Sequence, residues 1–98
     1  MITFRTLELA CQYYDLVSEL RLPLHLCDQL LRSASSVALN LSEGNAKTSV
    51  KDRRRYFEIA LGSLRESNTI LRSGRVSYQR ILSVADHLGG SLYKLSRK

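Results

Sequence analysis

Cys27, Leu30, Ala34, Val37 and Leu41 recur at steps of 3, 4, 3 and 4 residues, the spacing of an apolar seam along a bundle helix. A strand repeats every two residues, so this seam commits its segment to a helix. No other stretch reads as a strand, and the chain is expected to be all-α with four helices. The first is expected over about residues 4–20, ending before Arg21-Leu22-Pro23, where proline suits the first turn of the next helix. The second runs over 24–44, with Gly44 as the residue that closes it. The third spans 49–73, where the Ser49 hydroxyl can cap a free amide near Asp52, and it carries Phe57, Ala60, Leu61, Leu64 and Leu71 before Gly74. The fourth spans 76–96 on a seam of Tyr78, Ile81, Ala85, Leu88, Leu92 and Leu95 with Val84 on its flank. It is read as continuous through Gly89-Gly90, at a cost of about 1 kcal/mol per glycine. Connections of a few residues favour antiparallel neighbours, hence an up-and-down antiparallel four-helix bundle occupying residues 1–98 as one domain.

A chain of 98 residues buries only roughly 60–65% of its unfolded surface, which makes a lone bundle marginal. Helix 1 nevertheless offers two apolar seams, Leu7-Ala10-Tyr14-Val17 and Leu9-Tyr13-Leu16-Leu20, rotated by roughly 100° on a 3.6-residue helix. One seam can face the bundle. The second, with Tyr56, Ile59 and Ile70 lying off the Phe57-Leu64-Leu71 line of helix 3, needs another partner. A homo-oligomer interface is therefore expected at Leu9, Tyr13, Leu16, Leu20, Tyr56 and Ile59.

Up-and-down topology also sorts the charges. Both termini and the turn between helices 2 and 3 fall at one end, which gathers Arg5, Lys47, Lys51, Arg53, Arg54, Arg55, Lys94, Arg97 and Lys98 against only Glu8, Glu43 and Asp52. The whole formal charge of +6 resides there, and the remaining acids and bases balance. A field focused in this way attracts phosphate backbones. Arg53 falls on the apolar line of helix 3, where it can snorkel from the bundle end or pair with Glu43. Lys51, Arg54 and Arg55 point away from that line, and Lys51 and Arg55 stand one helical turn apart as like charges that a polyanion would relieve. Nucleic-acid contacts are expected at Lys47, Lys51, Arg53, Arg54, Arg55, Lys94, Arg97 and Lys98. Tyr56 can border the patch, but no stacking array is visible, which points to backbone or shape contacts rather than base reading.

Other chemistry is thin. Cys11 and Cys27 are read as reduced thiols packed in the core, and His25 and His87 as structural or surface residues without a metal partner set. No phosphate loop, nucleophile elbow or matched carboxylate pair is present, so neither an enzyme nor a cofactor is expected. The small polar flank Gln29, Ser33, Ser36 and Asn40 suits close helix packing. With no apolar run of membrane-spanning length and no leader-like N-terminus, a cytoplasmic location is the expectation.

The order of a leucine-arginine helix, Asn40-Leu41-Ser42-Glu43-Gly44, Lys47, Ser49, Tyr56-Phe57, Ile59-Ala60 and Gly62-Ser63-Leu64 with Glu66 resembles one four-helix bundle family. That family includes proteins encoded within intervening sequences of 23S rRNA genes and the accessory variability protein of diversity-generating retroelements. The motifs cover about residues 20–71, and the remainder matches by helix pattern. The resemblance implies a homopentameric, basic, barrel-like ring without known enzymatic activity. In the retroelement branch the ring is understood to bind a reverse transcriptase and nucleic acid. Arg32 stands alone where relatives often have two arginines, and Lys47 replaces a usual arginine. Asn40, Glu43, Ser63 and Glu66 are read as interhelical hydrogen-bonding groups and caps.

Two function classes follow. One is a non-catalytic nucleic-acid-binding accessory protein holding RNA or an RNA/DNA hybrid, with a reverse transcriptase as its protein partner. The other is an interaction scaffold of the intervening-sequence type that docks an acidic partner without touching nucleic acid.

Overall fold

A computed structural model of the chain describes residues 2–74 and 79–97. It contains four helices, α1 (Ile2–Ser18), α2 (Leu24–Ala46), α3 (Val50–Ser73) and α4 (Gln79–Ser96). At 1.5 Å per residue, α3 is roughly 36 Å long, and the described residues extend 40 × 23 × 17 Å, so the helices run along the long axis. Each helix packs on its neighbours in sequence, α1 also closes on α4, and the diagonal pairs do not meet at backbone level. This arrangement is that of an up-and-down bundle. Tyr78, the expected start of the fourth helix at 76, and Lys98 lie outside the described residues.

The ends of the helices follow local chemistry. Pro23 occupies the N-cap of α2, and its carbonyl accepts from the amides of Leu26 and Cys27 at 3.0 and 3.0 Å. Ser49 caps α3 as expected, its hydroxyl accepting from the Asp52 amide at 3.1 Å, with the Asp52 carboxylate in the positively polarised first turn. Gly74 ends α3 by donating its amide to the Ile70 carbonyl at 2.9 Å. Gly44 does not end α2. The helix continues to Ala46, and Gly44 is buried where α2 and α3 cross, so closely that an added Cβ would lie 2.9 Å from both Phe57 Cε1 and Tyr56 Cβ. Its missing side chain, rather than its freedom of φ, is what the fold uses.

The core is built from the expected seams of α2, α3 and α4, with Leu30, Ala34, Val37, Leu41, Phe57, Ala60, Leu61, Leu64, Leu71, Ile81, Ala85, Leu88, Leu92 and Leu95 all buried. Ile70, expected off the core line, is buried too. α4 passes through Gly89-Gly90 unbroken, Gly89 facing Leu64 and Gly90 facing open space. Cys27 is half-buried in the first turn of α2 and Cys11 is exposed on α1, so neither thiol is the core residue expected from the sequence. Cys11 lies on the outer side of the helix, next to the stripe that Ala10 and Tyr13 form.

α1 departs most from its expected packing. Its buried stripe is Thr6, Ala10, Tyr13 and Val17, which runs between the two anticipated seams. Tyr13 is therefore a core residue and not part of an oligomer surface. Its ring fills the bundle centre, and its hydroxyl reaches across the diagonal to Ser67 Oγ at 2.7 Å and donates to Asn68 Oδ1 at 3.4 Å. Burial raises the Tyr13 pKa above its ordinary value, opposed in part by the Ser67 hydrogen bond. Leu7 and Tyr14 on one flank and Leu9, Leu16 and Leu20 on the other are half-buried against the core.

The α2/α3 contact is the most extensive of the bundle and is partly polar. Ser36 Oγ and Ser63 Oγ share a hydrogen bond of 2.8 Å, and Asn40 Nδ2 donates to the Ser36 carbonyl and hydroxyl, each at 2.9 Å. Ser63 thus takes the interhelical role anticipated for it, whereas both hydrogen bonds of Asn40 stay within α2, where they hold the Ser36 hydroxyl that makes the crossing bond. No buried side-chain nitrogen or oxygen among the described residues lacks a partner.

Candidate nucleic-acid interface

The first two-thirds of α3 and the last turns of α4 lie side by side and enclose an open groove that runs from one end of the bundle toward its middle. Arg54, Glu58, Leu61 and Arg65 supply its α3 wall, and Tyr93, Ser96 and Arg97 its α4 wall. On α3 these residues are spaced by 4, 3 and 4, a single stripe of the helix. Leu61 and Ser96 are buried at the floor, while the arginines, Glu58 and Tyr93 are exposed at the rim. The space is about 500 Å³. Three guanidinium groups against one carboxylate give it a strongly positive field. The Arg97 guanidinium lies over the Tyr93 ring, 4.8 Å from its centroid.

The structure brings together only part of the expected basic set. Arg54 and Arg97 share the groove, with Lys94 exposed in the last turn of α4. Lys51, Arg53 and Arg55 are exposed on the first turns of α3. Arg53 does not pair with Glu43, because Glu43 is engaged by Lys47 one turn away at 3.9 Å. Lys47 also sits 5.3 Å above the Tyr56 ring, which makes Tyr56 a half-buried platform for a lysine rather than a free surface aromatic. Arg5 pairs with Glu8 at 4.0 Å in an exposed contact that contributes little. His25 and His87 are exposed.

Arg65 and Tyr93 were not anticipated as site residues. Arg65 is eleven residues after Arg54, three helical turns, and that spacing is the signal that could have placed it on the same stripe. Tyr93 precedes Arg97 by one turn, so the pair could have been recognised, but its alignment with α3 depends on tertiary packing.

A second surface runs along α1. Tyr14, Cys11 and Asp15 with Ser35, Ala38 and Leu39 of α2 line a shallow groove of about 250 Å³ that is almost wholly apolar. Leu39 is 68% exposed and Phe4, on the same helix as Cys11, is 63% exposed. Of the other residues expected at an oligomer interface, Ile59 is exposed and Leu9, Leu16, Leu20 and Tyr56 are half-buried.

Among the described residues no group of three His, Cys, Asp or Glu side chains could hold a metal ion, and no helix is long and apolar enough to cross a membrane. No curated protein and no solved structure matches the chain. The model of one family does match, over residues 2–86, which takes in α1, α2, α3 and the start of α4. By that match, and with four helices in sequence-adjacent contact, the chain belongs to the 23S rRNA-intervening sequence protein family.

Proposed function

We propose that this protein is a non-catalytic, basic, oligomeric accessory protein that holds RNA or an RNA/DNA hybrid along the α3/α4 groove and the adjoining bundle end. The observation that supports this reading is the convergence of Arg54, Arg65 and Arg97 from two helices on one groove that contains a single carboxylate, Glu58. Lys51, Arg53 and Arg55 extend the same field over the first turns of α3. Like charges gathered at this density repel, and release of that repulsion by a phosphate backbone is a source of affinity. Five copies, packed through the apolar outer surface of α1 and α2, would repeat the groove around a ring. The exposed Phe4 and Leu39 support the packing surface, and the family resemblance supports the number.

Titration of the purified protein with structured RNA, duplex DNA and an RNA/DNA hybrid at low salt tests the proposal. Binding of at least one of them, weakened steeply by added salt, is the expected result. Absence of binding to all three would contradict it and transfer the groove to an acidic protein partner. A reverse transcriptase gene beside the coding sequence, with template and variable repeats, would identify that enzyme as the protein partner.

A further inference from the structure

We infer that the α3/α4 groove takes an unpaired nucleotide of a single strand, its base stacked on the Tyr93–Arg97 pair and its flanking phosphates on Arg54 and Arg65. The inference rests on the polyanion reading above and adds a substrate class to it. A groove that met only phosphates would need cations and no ring. Here the rim carries Tyr93, 47% exposed, beside Arg97, whose guanidinium lies 4.8 Å from the ring centroid. The two planar groups hold one another in place, so a base meeting them costs less side-chain freedom than it would against a lone tyrosine. The space of about 500 Å³ falls within the usual range of small-ligand sites.

The cations are placed to match. Arg54 and Arg65 lie on one stripe of α3, three turns or about 16 Å apart along the axis, a length that a few consecutive nucleotides span. Between them Glu58 presents a carboxylate, an acceptor suited to base amino groups and repellent to phosphate. Phosphates are thereby favoured at the two ends of the stripe and a base between them. In a duplex both faces of each base are already stacked on neighbours, so only the backbone could reach the arginines and the ring would contribute nothing.

Dissociation constants for a labelled single strand and for the duplex of the same sequence, measured by fluorescence anisotropy, test the assignment. Tyr93→Ala should weaken single-strand binding about tenfold and leave duplex binding and both salt slopes unchanged. Tyr93→Trp should restore the affinity, and its indole, the sole tryptophan of a chain that otherwise has none, should be quenched by the single strand and not by the duplex. Equal losses on both substrates, or an unchanged single-strand affinity in Tyr93→Ala, would overturn the stacking site while leaving the polyanion reading in place. A wild-type protein that bound neither substrate at low salt would overturn both. If Tyr93→Ala does not fold, the presence or absence of tryptophan quenching decides the question.

Discussion

Tyr13 places a hydroxyl inside the bundle core and satisfies it across the diagonal with Ser67 and Asn68. Ser67 also donates to the Leu64 carbonyl at 2.8 Å, so it keeps a partner when the tyrosine oxygen is removed. Tyr13→Phe is therefore expected to cost only about 1 kcal/mol near neutral pH, the net contribution of a typical hydrogen bond. The pH dependence has a definite sign. Because burial raises the folded-state pKa, the folded chain holds the phenolic proton more tightly than the unfolded chain does. The contribution is fully present below the ordinary tyrosine value of 10.0 and is lost as pH rises through the higher folded value. Urea titrations at pH 8 and above pH 10 check this, the stability difference between wild type and Tyr13→Phe shrinking or reversing at the alkaline pH. A constant difference would place the hydroxyl outside the core. Nothing in the sequence distinguished this buried tyrosine from a surface one. Tyr13 and Tyr14 occupy adjacent positions, and a rotation of the helix by one residue, about 100°, exchanges their roles.

At the scale of the helices, periodicity made α2, α3 and most of α4 legible, because their apolar residues form one narrow stripe each. α1 was ambiguous for the opposite reason: its apolar residues span a wide arc, and the buried stripe proved to be the middle of that arc. The role of Gly44 was likewise hidden, since a glycine after an apolar seam reads equally as a helix end or as a close crossing. Only the position of Phe57 and Tyr56 against it decides. Gly44→Ala is expected to destabilise by about 1–3 kcal/mol, overpacking outweighing the gain of about 1 kcal/mol in helix propensity. Gly90→Ala, which meets open space, should stabilise α4 by up to about 1 kcal/mol. Denaturant midpoints of the two variants, moving in opposite directions, would support this packing. A stabilised Gly44→Ala would show that the crossing is looser than described.

For the whole molecule, topology converts a scattered list of basic residues into a field at one end. That much could be read before the helices were placed, because it needs only their order. The groove could not, because Arg65 and Tyr93 become neighbours of Arg54 and Arg97 only through the alignment of α3 with α4. The proposed assembly makes its own prediction. Leu39→Glu places a charge on an exposed residue of the α1/α2 surface and should dissociate the oligomer, with helicity by circular dichroism unchanged. Light scattering at micromolar concentration reads the result, and a wild-type monomer would remove the assembly from the account.

A polyanion site in the α3/α4 groove sets the slope of log affinity against log salt through the arginines that line it. Arg54, Arg65 and Arg97 replaced together by alanine are to be compared with Arg21, Arg72 and Arg80, three arginines that topology places at the opposite end. Each lost phosphate contact lowers the slope by roughly 0.7–0.9, so loss of the Arg54 and Arg65 contacts should lower it by about 1.5 to 2 in the groove variant, and the opposite-end variant should lose nothing. Equal slopes in the two variants would mean that the groove is not the polyanion site.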